Sequence, residues 1–409
     1  MYKILSLDGG GSWAIMQLLT LKDRYGNING HQILNKFDLV IANSGGSIVL
    51  AALAEDYTID KAISLFKEEK NRTAIFHKNR FKDRYFPVDY LGLFNAGFGP
   101  KYSAKRKKEA FENLFPEIDK IQMDELPKLI GKVSLKIVVA TYDALNNRAK
   151  FFKSFSSNSE GDDSVRLTQA INASSNAPVQ YFDFPARFKA QGSDIFYELW
   201  DGALGGFNNP ILAGIIEAYK LGVDLNTIRV VSLGTSNSLM SANSKRDFWK
   251  WKQIALQFRR KKLHFSKWKP QFNFFKETVL HQAKTILYQP PDTANYIAMM
   301  FLKAATGNKP NEQIIRLSPL IHYDSHSSEE IIPLIQQLYK MDMDLTTDEE
   351  IDKLIMCFIG WKNGLIYNQP IEFRVERSND LLFLKGDKWY KDGMERWIKW
   401  EQDLNIAHL

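Results

Sequence analysis

Short apolar runs alternate with helix-type patterns along the first 240 residues. The strand-like runs are residues 2–7, 38–43, 133–141, 148–155, 196–200 and 229–233. Between them, residues 13–25 carry Ile15, Leu18 and Leu19 at helical spacing, and residues 47–54 and 210–219 also have helical patterns. Strands that alternate with helices pair in parallel and are covered by helices on both faces. The pattern therefore predicts an α/β fold with a mainly parallel central sheet.

The remaining segments predict how this core is extended. Residues 76–101 are rich in aromatics and glycine without a clear period, which indicates a loop or lid, and residues 156–164 are polar and predicted to be exposed. After about residue 240 the composition turns basic and aromatic, and helical patterns then continue to Cys357. We expect one domain over residues 1–360, with an insert at about 240–305, and a helical cap over residues 361–409.

Composition narrows the class of protein. The 409 residues are 44% hydrophobic and 25% charged, which predicts a packed globular core. The single cysteine excludes an intramolecular disulfide and a multi-cysteine metal site. No basic segment followed by a long apolar run opens the chain, and no run of about 18 apolar residues follows. These features predict a cytoplasmic protein, although export as an effector without a classical signal peptide stays open.

Two glycine-rich turns carry the candidate chemistry. The first strand runs into Gly9, Gly10 and Gly11, whose unshielded N–H groups suit a developing negative charge. The second strand ends at Ser44, on a strand-to-helix turn with small residues at Ala42 and Gly46. Such a turn presents a serine as a nucleophile. Together the two turns predict acyl transfer, most simply ester hydrolysis.

Each turn also has a simpler interpretation. Three glycines at a helix start can cradle a phosphate, and a loose dinucleotide fingerprint is met if Ala14 replaces its last glycine. No acidic residue ends the second strand, which disfavours a dinucleotide. Ser44 taken alone could be an ordinary turn serine. Ser47 is the poorer nucleophile candidate, because Val49 stands two residues after it.

A serine nucleophile needs a base to accept its proton, and the sequence offers two kinds of candidate. The seven histidines are scattered among helical or basic residues, and none follows a strand in a strong loop motif. Asp201 follows a strand directly and precedes Gly202. A carboxylate can accept a serine proton when burial raises its pKa. A simple Asp-Gly turn is the alternative.

Five ordered blocks over residues 2–240 resemble the patatin-like phospholipase family. In chain order they are residues 8–11, 42–47, 173–178 with Tyr181 and Phe182, 201–203 with 208–210, and 231–235. The resemblance implies a three-layer α/β/α patatin-like fold with a helical, basic C-terminal extension. It also identifies the domain over residues 1–360 as catalytic.

The same resemblance implies an activity and its residues. Ser44 would be the nucleophile and Asp201 the base of a dyad, and Gly9, Gly10 and Gly11 would form the oxyanion hole. The expected reaction is phospholipase A-type hydrolysis of glycerophospholipids, with no metal and no cofactor. The chain departs from the family pattern at Trp13, where arginine is usual, and at Ala42 and Ser47. A catalytically weak or inactive relative that acts as a regulatory or membrane-binding module is therefore the alternative.

The basic and aromatic stretch at residues 245–276 suggests a partner. It holds eleven Lys or Arg residues against one acid, Asp247, with nine aromatic residues interleaved. Such a segment can dock peripherally on an anionic membrane surface. A helix pair with an aromatic core and solvated lysines is the structural alternative. Nucleic acid would attract the same charges but is not the expected partner.

Overall fold

The computed structural model of the chain describes residues 1–78, 100–155, 165–178, 181–190, 195–238, 290–307, 312–323, 327–369 and 386–407. The predicted lid is described only at its two ends. The polar stretch 156–164 and the basic segment 245–276 lie outside the described residues, as do four of the seven histidines.

Ten strands are described. They are β1 (Tyr2–Leu7), β2 (Leu39–Ala42), β3 (Lys136–Asp143), β4 (Arg148–Lys153), β5 (Ala186–Lys189), β6 (Phe196–Asp201), β7 (Ile228–Leu233), β8 (Asn237–Ser238), β9 (Ile314–Leu317) and β10 (Leu320–Ile321).

Thirteen α-helices accompany them in the described chain. They are α1 (Ile15–Tyr25), α2 (Gly30–Leu34), α3 (Ser44–Ala54), α4 (Ile59–Lys67), α5 (Glu69–Ile75), α6 (Ala104–Leu114), α7 (Leu126–Leu129), α8 (Leu167–Ser174), α9 (Ile211–Lys220), α10 (Pro290–Thr306), α11 (Ile332–Leu338), α12 (Asp348–Lys362) and α13 (Tyr390–Ala407).

The central sheet has the strand order β5-β6-β3-β2-β1-β7-β9, and β4 pairs with β3. Strands β3, β2, β1, β7 and β9 run parallel to one another. Strands β4 and β6 pair antiparallel with β3, and β5 pairs antiparallel with β6. The prediction of a mainly parallel sheet is confirmed, with an antiparallel edge added.

Side chains of the inner strands are buried on both faces, which produces three layers. In β2, Val40 and Ala42 join the core formed with α1 and α3, whereas Leu39 and Ile41 join the core formed with α9 and α10. Such continuous apolar strands are typical of a parallel sheet covered by helices. The three-layer α/β/α arrangement expected from the sequence is confirmed.

Strand β9 is a correction to the sequence-based prediction, which gave the chain beyond residue 240 only helical patterns. Ile314–Leu317 pairs in parallel with β7 and extends the central sheet. The run is only four residues long, and Arg316 interrupts its apolar character. A short strand with a charged centre carries little periodicity, so its pairing is determined by long-range contacts.

The last helices pack onto the same core. A capping box begins α12, in which the Thr347 hydroxyl accepts from the Glu350 N–H at 3.3 Å and the Glu350 carboxylate accepts from the Thr347 N–H at 3.1 Å. Tyr390 and Trp397 of α13 are buried in the larger core. The boundary after residue 360 stays a prediction. No helix among the described residues is long and apolar enough to cross a membrane.

Candidate active site

Strand pairing brings Ser44 and Asp201 to the same place. Strand β4 occupies one edge of β3 along residues 138–143, so β2 and β6 share the other edge. There Ala42, at the end of β2, pairs with Val139, and Asp201, at the end of β6, pairs with Thr141. Two strands running toward each other along one edge therefore deliver Asp201 beside the residues that follow Ala42.

Ser44 lies on a strained turn at the start of α3. Its φ of 49° falls in the left-handed region, which is uncommon for a residue with a side chain. A Cβ at Gly46 would lie 2.5 Å from the Leu7 carbonyl oxygen, and one at Gly45 would lie 2.5 Å from the Gly11 carbonyl oxygen. The two glycines therefore let the helix start lie directly against the first strand and the glycine loop. Helix α3 begins at Ser44 itself, three residues earlier than the pattern predicted.

Neighbouring serines fix this turn. The Ser174 hydroxyl accepts the Ser44 N–H at 2.8 Å and donates to Oδ1 of Asn43 at 3.3 Å. The Ser47 hydroxyl donates to the Ser44 carbonyl oxygen at 2.6 Å and is fully buried. Ser47 is therefore occupied in holding the turn, in keeping with its ranking as the poorer nucleophile.

Asp201 is a buried carboxylate that accepts several hydrogen bonds. Its Oδ1 accepts from the Ala203 N–H at 2.9 Å and from Nδ2 of Asn43 at 3.1 Å. Burial raises the pKa of Asp201, and the interaction with the Ser44 side chain is the largest of the effects that oppose the rise. A buried carboxylate with a raised pKa that interacts with a serine side chain is a candidate general base.

Among the described residues, no histidine hydrogen-bonds to Ser44 or Asp201. Nε2 of His31 lies 2.8 Å from the Ala54 carbonyl oxygen, at the far end of α3. The described site thus pairs the serine with a carboxylate.

The glycine loop lies against Ser44 on the other side. Gly9 donates its N–H to the Asn208 carbonyl oxygen at 2.8 Å, and its own carbonyl accepts from the Thr235 hydroxyl at 2.7 Å. The N–H groups of Gly10 and Gly11 have no partner in the part of the chain that the structure describes. Gly10 has a φ of 153°, and Gly11 has a φ of 57°. Of the three N–H groups expected in the oxyanion hole, Gly9 is therefore already engaged.

Residues from the distal part of the chain support this loop, and the sequence analysis missed them. Nε1 of Trp13 donates to the Asp342 carbonyl oxygen at 2.9 Å, and the Ser12 N–H donates to the Met343 carbonyl oxygen at 2.9 Å. Trp13, which stands where the family usually has arginine, is thus buried and bonded to the backbone of this segment. Since its partner is a main-chain carbonyl, no residue type in the sequence indicates the contact.

A buried ion pair completes the support. Nη2 of Arg316 donates to Oδ2 of Asp8 at 2.6 Å, and Nη1 donates to the Ser232 hydroxyl at 2.8 Å. A Cβ at Gly234 would lie 2.6 Å from the Arg316 guanidinium, so only glycine leaves room for it. The signal that could have revealed Arg316 is a cation inside an apolar run, because a buried charge needs a partner.

A mostly apolar pocket opens at Ser44. Its lining includes the apolar side chains of Ile48, Ile75, Phe76, Phe182 and Met343. Among the described residues, its ionisable groups are Lys107 and Tyr181. Phe76 and Phe182 stack with ring centroids 6.2 Å apart. Such a wall suits a hydrocarbon chain next to a reacting ester.

Comparisons with known proteins agree with the blocks found in the sequence. The family model described as patatin-like phospholipase matches residues 5–215. The crystal structure of VipD from Legionella pneumophila aligns with a TM-score of 0.34 and 12% identity, over 88% of this chain and 66% of that chain. So weak a structural likeness carries no argument. No curated protein matches the chain.

Proposed function

The chain belongs to the patatin-like phospholipase family, a family of lipid acyl hydrolases, and from that premise we propose that it is a phospholipase A. It hydrolyses carboxylic ester bonds of glycerophospholipids through a dyad of Ser44 and Asp201. The placement of Ser44 beside the buried Asp201 carboxylate, which accepts a hydrogen bond from the adjacent Asn43, is the observation that carries the proposal. No cofactor enters the proposed reaction.

The proposed reaction begins with a proton transfer from the Ser44 hydroxyl to Asp201. The Ser44 oxygen bonds to the ester carbonyl carbon, and the carbonyl oxygen takes up the negative charge. The N–H groups of Gly10 and Gly11 donate to that oxyanion, while Gly9 holds the loop through Asn208. Preorganised donors of this kind stabilise the developing charge by roughly 3–4 kcal/mol each.

The intermediate then breaks its bond to the glycerol oxygen. Asp201 returns its proton to that oxygen, and lysophospholipid leaves while the acyl group stays on Ser44. A water molecule attacks the acyl carbon and gives a proton to Asp201, which passes it to the departing Ser44 oxygen. The products are lysophospholipid, a fatty acid and the free enzyme.

The substrate class rests on the pocket as well as on the family. Its apolar wall supports an acyl chain as the group next to Ser44, since burying each methylene contributes about 0.8 kcal/mol. Ser44 itself is only 4% exposed. An extended lipid therefore needs an opening wider than the one described, which would be made by movement of neighbouring side chains or segments.

The proposal is tested by incubating pure protein with mixed membrane lipids and identifying the products by mass spectrometry. We expect lysophospholipid and fatty acid from the parent and none from Ser44→Ala. Ser47→Ala is the matched control and retains activity. Activity in Ser44→Ala together with its loss in Ser47→Ala would contradict the nucleophile assignment. A folded parent that releases no product would favour a binding module instead.

We also propose that residues 245–276 dock the enzyme on anionic membrane. The support is their excess of basic residues and interleaved aromatics, each basic residue contributing about 1 kcal/mol near an anionic surface. Co-sedimentation with phosphatidylglycerol vesicles at low salt tests this. We expect the variant with Arg259, Arg260, Lys261 and Lys262 all changed to Glu to bind less than the parent. Equal binding would leave the segment a structural one.

A further inference from the structure

Lys107 is a fully buried cation in the pocket that contains Ser44. It lies on α6, where its neighbours on the buried face are Ala104, Ala110 and Phe111. Its Nζ donates to the Asn172 carbonyl oxygen at 2.8 Å and to the Ser175 hydroxyl at 3.4 Å. The Nζ also lies 4.2 Å from the centre of the Phe182 ring. Burying an ammonium group carries a desolvation penalty of several kcal/mol, so interactions within the protein must offset it.

Two carboxylates act electrostatically on Lys107. They are Asp201 of the proposed dyad and Asp183, which accepts the Ala104 N–H at 2.8 Å at the start of the same helix. Burial lowers the pKa of Lys107 well below its usual value, while Asp201 and Asp183 oppose that change. In return, the Lys107 charge works against the burial that raises the pKa of Asp201.

Lys107 also holds the segment that positions both members of the dyad. Its two acceptors, Asn172 and Ser175, lie at the C-terminal end of α8, where a cation is favoured by the helix dipole. In the same segment, Ser174 holds the Ser44 N–H and the Asn176 carbonyl oxygen accepts the Asp201 N–H at 3.1 Å.

We propose that Lys107 is a positioning residue whose charge keeps Asp201 in the ionised form that accepts the Ser44 proton. This inference rests on the proposed dyad. It assigns to the pocket cation the task of offsetting the burial of the base. The Lys107 charge therefore matters at the acid end of the pH range, where Asp201 must already have lost its proton for the reaction to begin.

This role predicts where the acid limb of the pH profile lies. The rate falls as pH drops through the pKa of Asp201. In Lys107→Met, which keeps the length and removes the charge, we expect the acid limb to move up by about one pH unit.

The experiment measures the rate at which a fluorophosphonate probe labels the protein between pH 5 and 10. In that reaction the Ser44 oxygen bonds to phosphorus, fluoride leaves, and the serine proton goes to Asp201. Below the acid limb we expect Lys107→Met to label about tenfold more slowly than the parent, each relative to its own plateau. Lys108→Met is the matched control, because Lys108 lies next in the chain but is half-exposed and faces Glu112. It keeps the parent profile.

Each result decides a different claim. A parent that labels at Ser44, with Lys107→Met giving the parent profile, overturns the role of Lys107 and leaves the dyad standing. A parent that never labels at Ser44 overturns the proposed function and this inference with it. If Lys107→Met does not fold, Lys107→Gln makes the same test, because it also removes the charge: an acid limb at the parent's position in that variant overturns the inference.

Discussion

Two regions of the chain meet at Ser44, and they contribute different things. Residues 5–215, the motif region, match the family and supply the serine, the carboxylate and the glycine loop. Of the described residues in 312–369, the support region, only Met343 lines the pocket at Ser44. The region nevertheless bonds to the residues that flank the glycine loop, through Arg316 and the backbone of Asp342 and Met343. The proposed reactive groups thus come from short local motifs, whereas their support comes from more than 300 residues further along the chain.

The largest effect on activity is expected from a change in the motif region. Asp201→Asn keeps the size and some hydrogen bonding of the side chain but cannot accept the serine proton. We expect turnover of a short-chain chromogenic ester to fall about 10⁴-fold, with the fold retained. His31→Gln and His322→Gln serve as controls and stay active. A histidine variant that loses activity while Asp201→Asn keeps it would replace the dyad by a triad.

Among single changes in the support region, Arg316→Met should lower the free energy of unfolding the most. It leaves the Asp8 carboxylate buried without its cation, which typically destabilises a protein by about 3–5 kcal/mol. Urea unfolding of the full chain measures the loss. Lys353→Met, which breaks an exposed pair with Glu349, is the control and should change stability by less than about 1 kcal/mol. Similar losses in both variants would mean that the buried pair is no stronger a support than a surface one.

A change inside the glycine loop tests the donors that the support region holds in place. A Cβ at Gly10 would lie 2.2 Å from the Thr235 hydroxyl oxygen, so Gly10→Ala should displace the loop and its donors. Loss of one oxyanion donor lowers turnover roughly 10²–10³-fold, with little change in KM. Gly26→Ala is the control, because Gly26 also has a positive φ of 75° but has open space around it. Unchanged turnover in a folded Gly10→Ala would put the oxyanion hole elsewhere.

The smallest effect is expected from removing the hydrogen bond between Trp13 and the Asp342 carbonyl oxygen. Trp13→Phe removes the donor to the Asp342 carbonyl oxygen, which should cost about 1 kcal/mol beyond the lost packing. Trp361→Phe measures the packing loss alone, because the Trp361 ring is buried and its N–H has no partner in the described part of the chain. We expect turnover to drop a few-fold only in Trp13→Phe. Equal unfolding free energies in the two variants would show that the hydrogen bond contributes nothing measurable.

The sequence predicted the motif region well because its signals are local. Gly46 and Gly202 stand next to Ser44 and Asp201 in the chain, so glycine at those positions is visible in a short pattern, although the atoms that require it belong to other strands and turns. The order of strands and helices likewise indicated the three layers, and the family match over residues 5–215 covers the first four of the five blocks.

The support region could not be predicted in the same way. Arg316 is explained only by Asp8 across the sheet, and the partner of Trp13 is a backbone atom. Lys107 is intermediate: its helix reads as a charged surface helix, yet its spacing from Ala104, Ala110 and Phe111 puts it on the apolar face. The helical period therefore contained that signal, and the surrounding lysines concealed it.

The ion pair between Asp8 and Arg316 also sets a time at which the site can be complete. The two residues are 308 positions apart. At 5–20 residues per second, a ribosome adds Arg316 roughly 15–60 s after Asp8. In the last part of that interval, after Asp201 has been added, the nascent chain carries its serine, its carboxylate and its three glycines without the guanidinium that pairs with Asp8. The proposed lipid-cleaving centre can therefore mature only after Arg316 has been added, which gives the cell that makes it an interval without full activity.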